Sequence, residues 1–243
     1  MRLGVAALAA VLVGCGTAPG VQVAAAVSLQ EPLEDLAAGD PEIRFHLASS
    51  GVILRQALEG APFDVVVLAG SPEMDRLEAA GALAPGTRTV VATNGLVLAV
   101  PAWDEPVASL QDLTRPRFAR IAIGSPATVP VGRYGMEALQ HAGLWNALQD
   151  RLVLAGHAEQ VVEYLEREEV DAGLIYRSDA VSSAGVRICA AIDPAWHEPI
   201  RYEAAVLRET VHPAAARRFL ERLAGPRGEV ALRRHGFGPS AGR

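Results

Sequence analysis

Three short stretches of this sequence place hydroxyl groups and small residues where a buried strand runs into a helix. They are Ala24-Ala25-Ala26-Val27-Ser28-Leu29, Ala48-Ser49-Ser50-Gly51 and Val129-Pro130-Val131-Gly132-Arg133. The start of a helix has four N–H groups without an intrahelical acceptor and a partial positive charge, so it can hold an anion without a cationic side chain. Several such helix starts that point to one spot would form an oxyanion site.

Each of these stretches also has a purely structural explanation. Taken alone, Ser28, Ser49 and Ser50 are explained better by helix capping, and Ser28 with Glu31 has the spacing of a capping box. Tyr176 is a further candidate, because it ends an apolar strand from which a phenol could reach a crevice. In open α/β sheets, ligands bind beyond the carboxyl ends of the strands, and all of these candidates lie there.

Motifs of hydrolases and metalloenzymes are missing from the sequence. It contains no His-Glu-x-x-His or Cys-x-x-Cys motif, and it has no lysine for a P-loop or a Schiff base. The six histidines are scattered, and the glutamates between residues 163 and 169 are best explained by a solvated helix face. The sequence therefore does not support a hydrolase and predicts no side-chain ligands for a bare metal ion.

The composition predicts a globular α/β protein. Of the 243 residues, 50% are hydrophobic and 21% are charged, which provides ample material for a core. The formal net charge of −6 argues against nucleic acid as a partner and against a polybasic membrane contact. Short apolar runs alternate with helical patterns from Val21 onwards, and such repeated β-α units predict doubly wound α/β architecture.

The N-terminus has the pattern of a lipoprotein signal peptide. Arg2 precedes an apolar run, over residues 3–13, that is too short to span a bilayer. The run ends in Leu-Val-Gly-Cys, which resembles a bacterial lipobox. We therefore expect a signal peptide over residues 1–14, a lipid on Cys15 and a linker over residues 15–20. An ordinary signal peptide whose apolar region happens to meet a cysteine is the alternative.

Eight short motifs follow one another along nearly the whole chain after residue 20. They are Ala-Ala-Val-Ser-Leu at 25–29, Ala-Ser-Ser-Gly at 48–51, Arg-Gln at 55–56, Gly-Ala-Pro-Phe-Asp-Val at 60–65, Asn-Gly-Leu-Val at 94–97, Val-Pro-Val-Gly-Arg-Tyr at 129–134, Asp-Ala-Gly-Leu-Ile-Tyr-Arg-Ser-Asp-Ala at 171–180 and His-Gly-Phe at 235–237. In this order they resemble the molybdate-binding protein (ModA) family, the soluble receptors of bacterial ABC-type molybdate importers.

The resemblance implies a type II periplasmic-binding-protein fold, in which two doubly wound α/β lobes joined by a two-strand hinge close on the ligand. One lobe is expected to comprise residues 21–97 and 203–243, and the other residues 98–202. The expected hinge strands are Gly95–Val100 and Arg201–Val206. Gly70 departs from the family, which often has an aspartate at that position.

The resemblance also implies a set of ligands for an oxyanion. Hydroxyl groups are expected from Ser28, Ser50 and Tyr176, and backbone N–H groups from Ser28, Ser50, Val131 and Ala158. The metal is then held as molybdate, through its oxygens. Candidates for the surroundings of this site are Ser49, Gly51, Arg133 and His157, and His157 is favoured as a bystander.

These features together predict an extracytoplasmic lipoprotein that captures molybdate, and tungstate as well, without catalysis or a cofactor. Its expected partners are an ABC permease with its ATPase subunit and the membrane that holds the lipid on Cys15, and we expect a monomer. A receptor for another tetrahedral oxyanion, sulfate or phosphate, is the nearest alternative. An enzyme on the same bilobal fold, such as a hydroxymethylbilane synthase, is opposed by Cys189 lying within a predicted strand. The effector-sensing half of a transcription factor is opposed by the export signal.

Overall fold

A computed structural model describes residues 20–240 of the chain, so that the signal peptide, Cys15 and all of the predicted linker except Gly20 lie outside the described residues. Within this range the strands are β1 (Val21–Ala26), β2 (Ile43–Ala48), β3 (Val65–Ala69), β4 (Thr89–Thr93), β5 (Leu96–Pro101), β6 (Ile121–Gly124), β7 (Leu152–Ala155), β8 (Ala172–Tyr176), β9 (Val186–Ala191) and β10 (Arg201–Val206).

The helices connect these strands and pack against them. The α-helices are α1 (Gln30–Ala37), α2 (Ser50–Leu58), α3 (Ser71–Ala79), α4 (Pro130–His141), α5 (Trp145–Leu148), α6 (Ala158–Glu166), α7 (Arg177–Ser182), α8 (Pro213–Ala224) and α9 (Pro226–Arg234). Short 3₁₀ helices cover Val27–Leu29, Leu110–Thr114, Gln149–Arg151 and Pro194–Trp196. None of the helices between residues 20 and 240 is long and apolar enough to cross a membrane.

The strands form two mixed sheets of five strands each. The first sheet has the order β2-β1-β3-β10-β4 and the second the order β7-β6-β8-β5-β9. In each sheet three neighbouring strands run parallel, and a fourth strand, β10 or β5, runs antiparallel between this group and the edge strand. The parallel groups place the carboxyl ends of three strands at one edge of each sheet, which is where the sequence predicts the site.

The chain passes between the sheets twice, at residues 94–95 and 192–200. The two crossings lie side by side, because the N–H of Asn94 donates to the carbonyl of Ile200 at 3.0 Å. Beyond the crossings, β5 belongs to the second sheet and β10 to the first. The expected lobe boundaries, after residues 97 and 202, lie inside these two strands.

Helices cover both faces of the first sheet, and the central strand β3 shows why. Val65 and Val67 point into the large core, whereas Val66 and Leu68 point into a second core beneath α2 and α3. All four side chains are fully buried, and each contributes roughly 1.5–3 kcal/mol to folding. A continuous apolar run is typical of a parallel strand that is buried on both faces.

The predicted capping box at Ser28 is wrong, and a second serine at a helix start, Ser71, also uses its side chain elsewhere. The chain leaves β1 through a 3₁₀ turn over Val27–Leu29, so that α1 begins two residues after Ser28 and the capping box with Glu31 does not form. At α3 the N-cap is Gly70, and the hydroxyl of Ser71 donates instead to the carboxylate of Glu203 on β10. Both serines are therefore free to serve tertiary contacts rather than the local helix.

Candidate functional site

The two predicted serines leave the first sheet at the same edge. Ser28 lies in the 3₁₀ turn that directly follows β1, and Ser50 is the first residue of α2, which follows β2. The two strands are parallel neighbours whose last residues, Ala26 and Ala48, are paired in register. Both serines therefore start from adjacent strand ends.

The other three predicted residues leave the second sheet in the same way. Val131 is the second residue of α4, Ala158 is the first residue of α6, and Tyr176 is the last residue of β8. The strands that precede them, β6, β7 and β8, are parallel neighbours. The first N–H groups of α4 and α6 have no acceptor inside their helices and carry the positive end of the helix dipole.

A cavity lies between the two halves of the molecule, and of the five predicted ligands Ser28 alone is among the residues that line it. A cavity of about 350 Å³ is lined by Ser28 and Glu31 from the first half and by Glu159, Ser178 and Asp179 from the second. The hydroxyl of Ser182 on α7 donates to the carboxylate of Glu31 on α1 at 3.2 Å, across this cleft. Ser28 and the first turns of α6 and α7 thus border one space, which the start of α4 does not line.

The hydroxyl of Ser50 is arranged as a donor. Its oxygen accepts the backbone N–H of Ala69 at 2.9 Å, and the residue is only 6% exposed. Because an N–H can only donate, the hydroxyl hydrogen of Ser50 remains available for another acceptor. This is the polarity that an anion requires.

Tyr176 contributes a neutral phenol. Its side chain is buried, and burial raises its pKa well above the ordinary value of a tyrosine, with a further contribution from the neighbouring Tyr202 and Tyr134. Tyr176 and Tyr134 lie with their ring centroids 6.5 Å apart. A phenol that keeps its proton at all physiological pH values is a hydrogen-bond donor.

Comparisons with known proteins agree with the family resemblance of the sequence motifs. Residues 21–238 match the family model of the bacterial extracellular solute-binding proteins. The molybdate-binding protein ModA of Escherichia coli is 32% identical over 227 residues, which span 89% of this chain and 88% of that protein. ModA of Haemophilus influenzae is 30% identical over 86% of this chain and 85% of its own length.

The solved structure of the periplasmic molybdate-binding protein of Azotobacter vinelandii superposes with a TM-score of 0.78. The two chains are 25% identical, and the match covers 89% of this chain and 98% of the other. The chain belongs to the ModA family of bacterial extracellular solute-binding proteins. The family resemblance and the type II periplasmic-binding-protein fold, both predicted from the sequence, are confirmed. The ModA family is one of solute-binding proteins of transport systems rather than of enzymes.

Three of the four candidates for the surroundings of the site in this ModA-family chain lie at the starts of α2 and α6. His157 is the N-cap of α6: its Nδ1 atom accepts the N–H of Gln160 at 3.2 Å, and the ring also contacts Glu159. Ser49 is the exposed N-cap of α2 and makes no capping hydrogen bond with its side chain. Gly51 is exposed, and a side chain there would meet no atom within 4 Å.

Arg133 is the fourth candidate, and its charge acts on a residue that the sequence did not single out. Its guanidinium lies 3.7 Å from Glu198 and 3.8 Å from Glu137, and it also attracts the carboxylate of Glu73 at the start of α3. The Nε atom of Arg133 and the Oε2 atom of Glu73 are both buried without a hydrogen-bond partner in the described part of the chain. Burial raises the pKa of Glu73 above its ordinary value, and Arg133 opposes this shift.

Glu73 owes its position to the departure at Gly70. Gly70 has a φ of +110°, and a Cβ atom there would lie 2.8 Å from the Glu73 carboxylate oxygen. The left-handed backbone favours glycine at this position. No signal in the local sequence shows that the charge of Arg133 acts on Glu73, because the two residues lie on different halves of the molecule.

The described residues hold no ready-made site for a bare metal ion. Between residues 20 and 240, no group of three or more histidine, cysteine, aspartate or glutamate side chains is placed to bind one. The predicted donors are instead hydroxyl and N–H groups, which bind the oxygen atoms of an anion.

Proposed function

We propose that this chain is the receptor of an ABC importer and that it binds molybdate, and tungstate equally, in the cleft between its two sheets. The observation that carries the proposal is that the predicted ligands come from the carboxyl ends of five parallel strands, two in one sheet and three in the other. Each of them offers hydroxyl or N–H donors. The ligands are Ser28, Ser50, Val131, Ala158 and Tyr176.

Neutral donors can supply the necessary binding energy. A hydrogen bond to a charged group is worth about 1.5–3 kcal/mol, so that six or seven of them provide on the order of 10–20 kcal/mol before the costs of desolvation and closure. A nanomolar dissociation constant requires about 12 kcal/mol. The site therefore needs no lysine.

The same donors provide selectivity by size. They are fixed at the ends of strands and helices, so that they fit one size of tetrahedral anion best. Tungstate has the dimensions of molybdate and should bind equally well, whereas the smaller sulfate should bind poorly. Closure of the two halves over the dianion gives the form that the permease recognises.

The proposal includes the cellular setting that the sequence predicts. A lipid on Cys15 holds the receptor at the outer side of a membrane, where it delivers its ligand as a monomer to the permease and its ATPase subunit. The family membership and the apolar N-terminal run support this setting. In it the receptor captures and releases the anion without catalysis.

Isothermal titration calorimetry of the purified protein with molybdate, tungstate and sulfate tests the proposal. We expect tight binding of the first two anions and weak binding of sulfate. The double substitution Ser28→Ala/Ser50→Ala should weaken molybdate binding at least about a hundredfold, since it removes two hydrogen bonds to a charged ligand. Ser49→Ala is the matched control and should bind like the wild type, because the Ser49 side chain is exposed. Binding of sulfate without molybdate would refute the ligand, and full affinity in the double variant would refute the ligand set.

A further inference from the structure

A chain of hydrogen bonds runs from the predicted ligand Ser28 into the second half of the molecule. The Oγ atom of Ser28 lies 3.1 Å from the phenol oxygen of Tyr202 on β10. The side-chain amide of Asn94, in the first crossing, contacts the same phenol at 3.5 Å and the Oγ atom of Ser178 on α7 at 2.8 Å. The sequence pattern alone singled out neither Tyr202 nor the side chain of Asn94.

The orientation of the Asn94 amide is fixed by two backbone groups. Its Oδ1 atom accepts the N–H of Gly95 at 2.9 Å and that of Ser178 at 3.4 Å. Because backbone N–H groups can only donate, the amide oxygen must face them, and the NH₂ group faces the hydroxyls of Ser178 and Tyr202. An NH₂ group has no capacity to accept, so neither hydroxyl can donate to Asn94.

This orientation decides the direction of the remaining hydrogen bond. Tyr202 is fully buried, and burial raises the pKa of its phenol above the ordinary value, so that the group is neutral and has one hydrogen to donate. A buried phenol normally has a partner for that hydrogen. Of the two groups in the described chain that it contacts, only the Ser28 oxygen can accept. Tyr202 therefore donates to Ser28.

The direction of this bond determines what Ser28 can bind. Its oxygen accepts from Tyr202, and its own hydrogen is then free to point to a third group. If the phenol were absent, the same hydroxyl could rotate and present its lone pairs to the cleft, where they would repel an anion. The arrangement repeats that of Ser50, whose oxygen accepts the N–H of Ala69.

We propose that Tyr202, oriented by Asn94, is a positioning residue of the anion site: it acts through Ser28, by holding the Ser28 hydroxyl as a donor to the bound oxyanion. This inference rests on the proposed function, since it assumes that Ser28 contacts the anion. It adds to that function a group that does not contact the ligand itself. Asn94 is in turn hydrogen-bonded to Ser178 in the second half of the molecule. The donor role of Ser28 in the first half therefore depends on contacts with the second half.

A double-mutant cycle between Tyr202→Phe and Ser28→Ala tests the inference, with molybdate affinity measured by calorimetry. Tyr202→Phe removes one oxygen and should weaken binding about tenfold in the wild-type background, the equivalent of one hydrogen bond. In the Ser28→Ala background the same substitution should change the affinity less than twofold, because there is no hydroxyl left to orient. Tyr164→Phe is the matched control, since the Tyr164 hydroxyl on α6 makes no hydrogen bond within residues 20–240, and it should leave the affinity unchanged.

A purely structural role of Tyr202 would give a different pattern. It would lower the melting temperature without ligand and weaken binding by the same factor in both backgrounds. Such additivity, or an unchanged affinity in Tyr202→Phe, would overturn the inference while the wild type still binds molybdate. Asn94→Ala tests whether the Asn94 amide orients Tyr202. The double variant Asn94→Ala/Tyr202→Phe should lose less affinity for molybdate than the sum of the two single effects, because both substitutions act through Ser28. A wild type that does not bind molybdate would refute the proposed function itself, and the positioning role with it.

Discussion

The substitution Gly132→Ala tests how the start of α4 is held at the site. Gly132 is the third residue of α4 and packs directly against the end of β6: a Cβ atom there would lie 2.0 Å from the carbonyl oxygen of Gly124. The contacted atom belongs to the backbone of a buried strand, so it cannot move aside as a flexible side chain would. Carbon and oxygen atoms that approach closely are separated by about 3.3–3.6 Å. The first turn of α4 must therefore move outwards by about 1.3 Å.

This displacement should remove the contribution of the Val131 N–H to anion binding. A hydrogen bond of about 2.9 Å that lengthens by 1.3 Å is no longer a hydrogen bond. The loss of one bond to a charged ligand, about 1.5–3 kcal/mol, corresponds to a 10- to 150-fold weaker affinity for molybdate. Calorimetric titration well below the melting temperature measures this effect apart from the lower stability that overpacking also causes.

Gly135→Ala, one turn further along α4, is the matched control. Its Cβ atom would meet the end of the Leu174 side chain at 3.4 Å, which is an ordinary van der Waals contact. We expect wild-type affinity and equal or higher stability, because alanine favours a helix more than glycine does. Wild-type affinity for molybdate in Gly132→Ala, or an equal loss of affinity in both variants, would rule out the proposed contribution of the Val131 N–H.

Three further predictions concern charged side chains. Arg88→Met should lower the free energy of unfolding by about 3 kcal/mol in denaturant titrations. The buried carboxylate of Glu203 lies 2.6 Å from the Arg88 guanidinium and would lose its charged partner. An unchanged denaturation midpoint would contradict this prediction. Burial, with the neighbouring Glu159, raises the pKa of Asp179 to about 7. The folded chain therefore retains a proton that the unfolded chain loses near pH 4. The free energy of unfolding should fall as the pH rises from about 4 to 7. Asp179→Asn should abolish this slope in melting temperatures measured between pH 4 and 8, and an equal slope in both proteins would count against the assignment. Glu73→Gln should strengthen molybdate binding several-fold at low ionic strength, because it removes a negative charge that acts on Arg133 at the start of α4. The gain should shrink as salt is added; weaker binding would show that the carboxylate supports the site.

The sequence predicted the edges of the sheets well because the apolar runs are unambiguous. The run Val65–Ala69 is buried on both faces, and the turns after β1, β2 and β6 are short, so that the order of the elements places the candidate residues at strand ends. The position of each ligand within its turn was less predictable. Ser28 with Glu31 has the local pattern of a cap, and only a contact with Tyr202, 174 residues away, shows that the hydroxyl is used elsewhere.

Elements that depend on tertiary contacts were not predicted. The helix α7 has only six residues, too few for an apolar period to appear, and it is held by the contact between the Arg177 N–H and the Gly95 carbonyl at 2.8 Å. The strand β4 pairs only with β10 among the named strands, more than a hundred residues later in the chain. Long-range pairing of this kind leaves no mark in the neighbouring sequence.

The place of β10 in the first sheet has a consequence for the order in which the chain can fold. The second sheet is built from one continuous stretch, residues 96–191, whereas the first sheet needs β10 to fill the gap between β3 and β4. During synthesis and export from the N-terminus, one edge of the apolar strand β3 therefore stays open until residue 206 has emerged. The unpaired edge of a strand that is apolar on both faces promotes aggregation. If the second half folds before the first, it brings Arg201, the first residue of β10, back beside Asn94, where the chain left the first sheet. The strand β10 is then already close to the gap that it fills between β3 and β4.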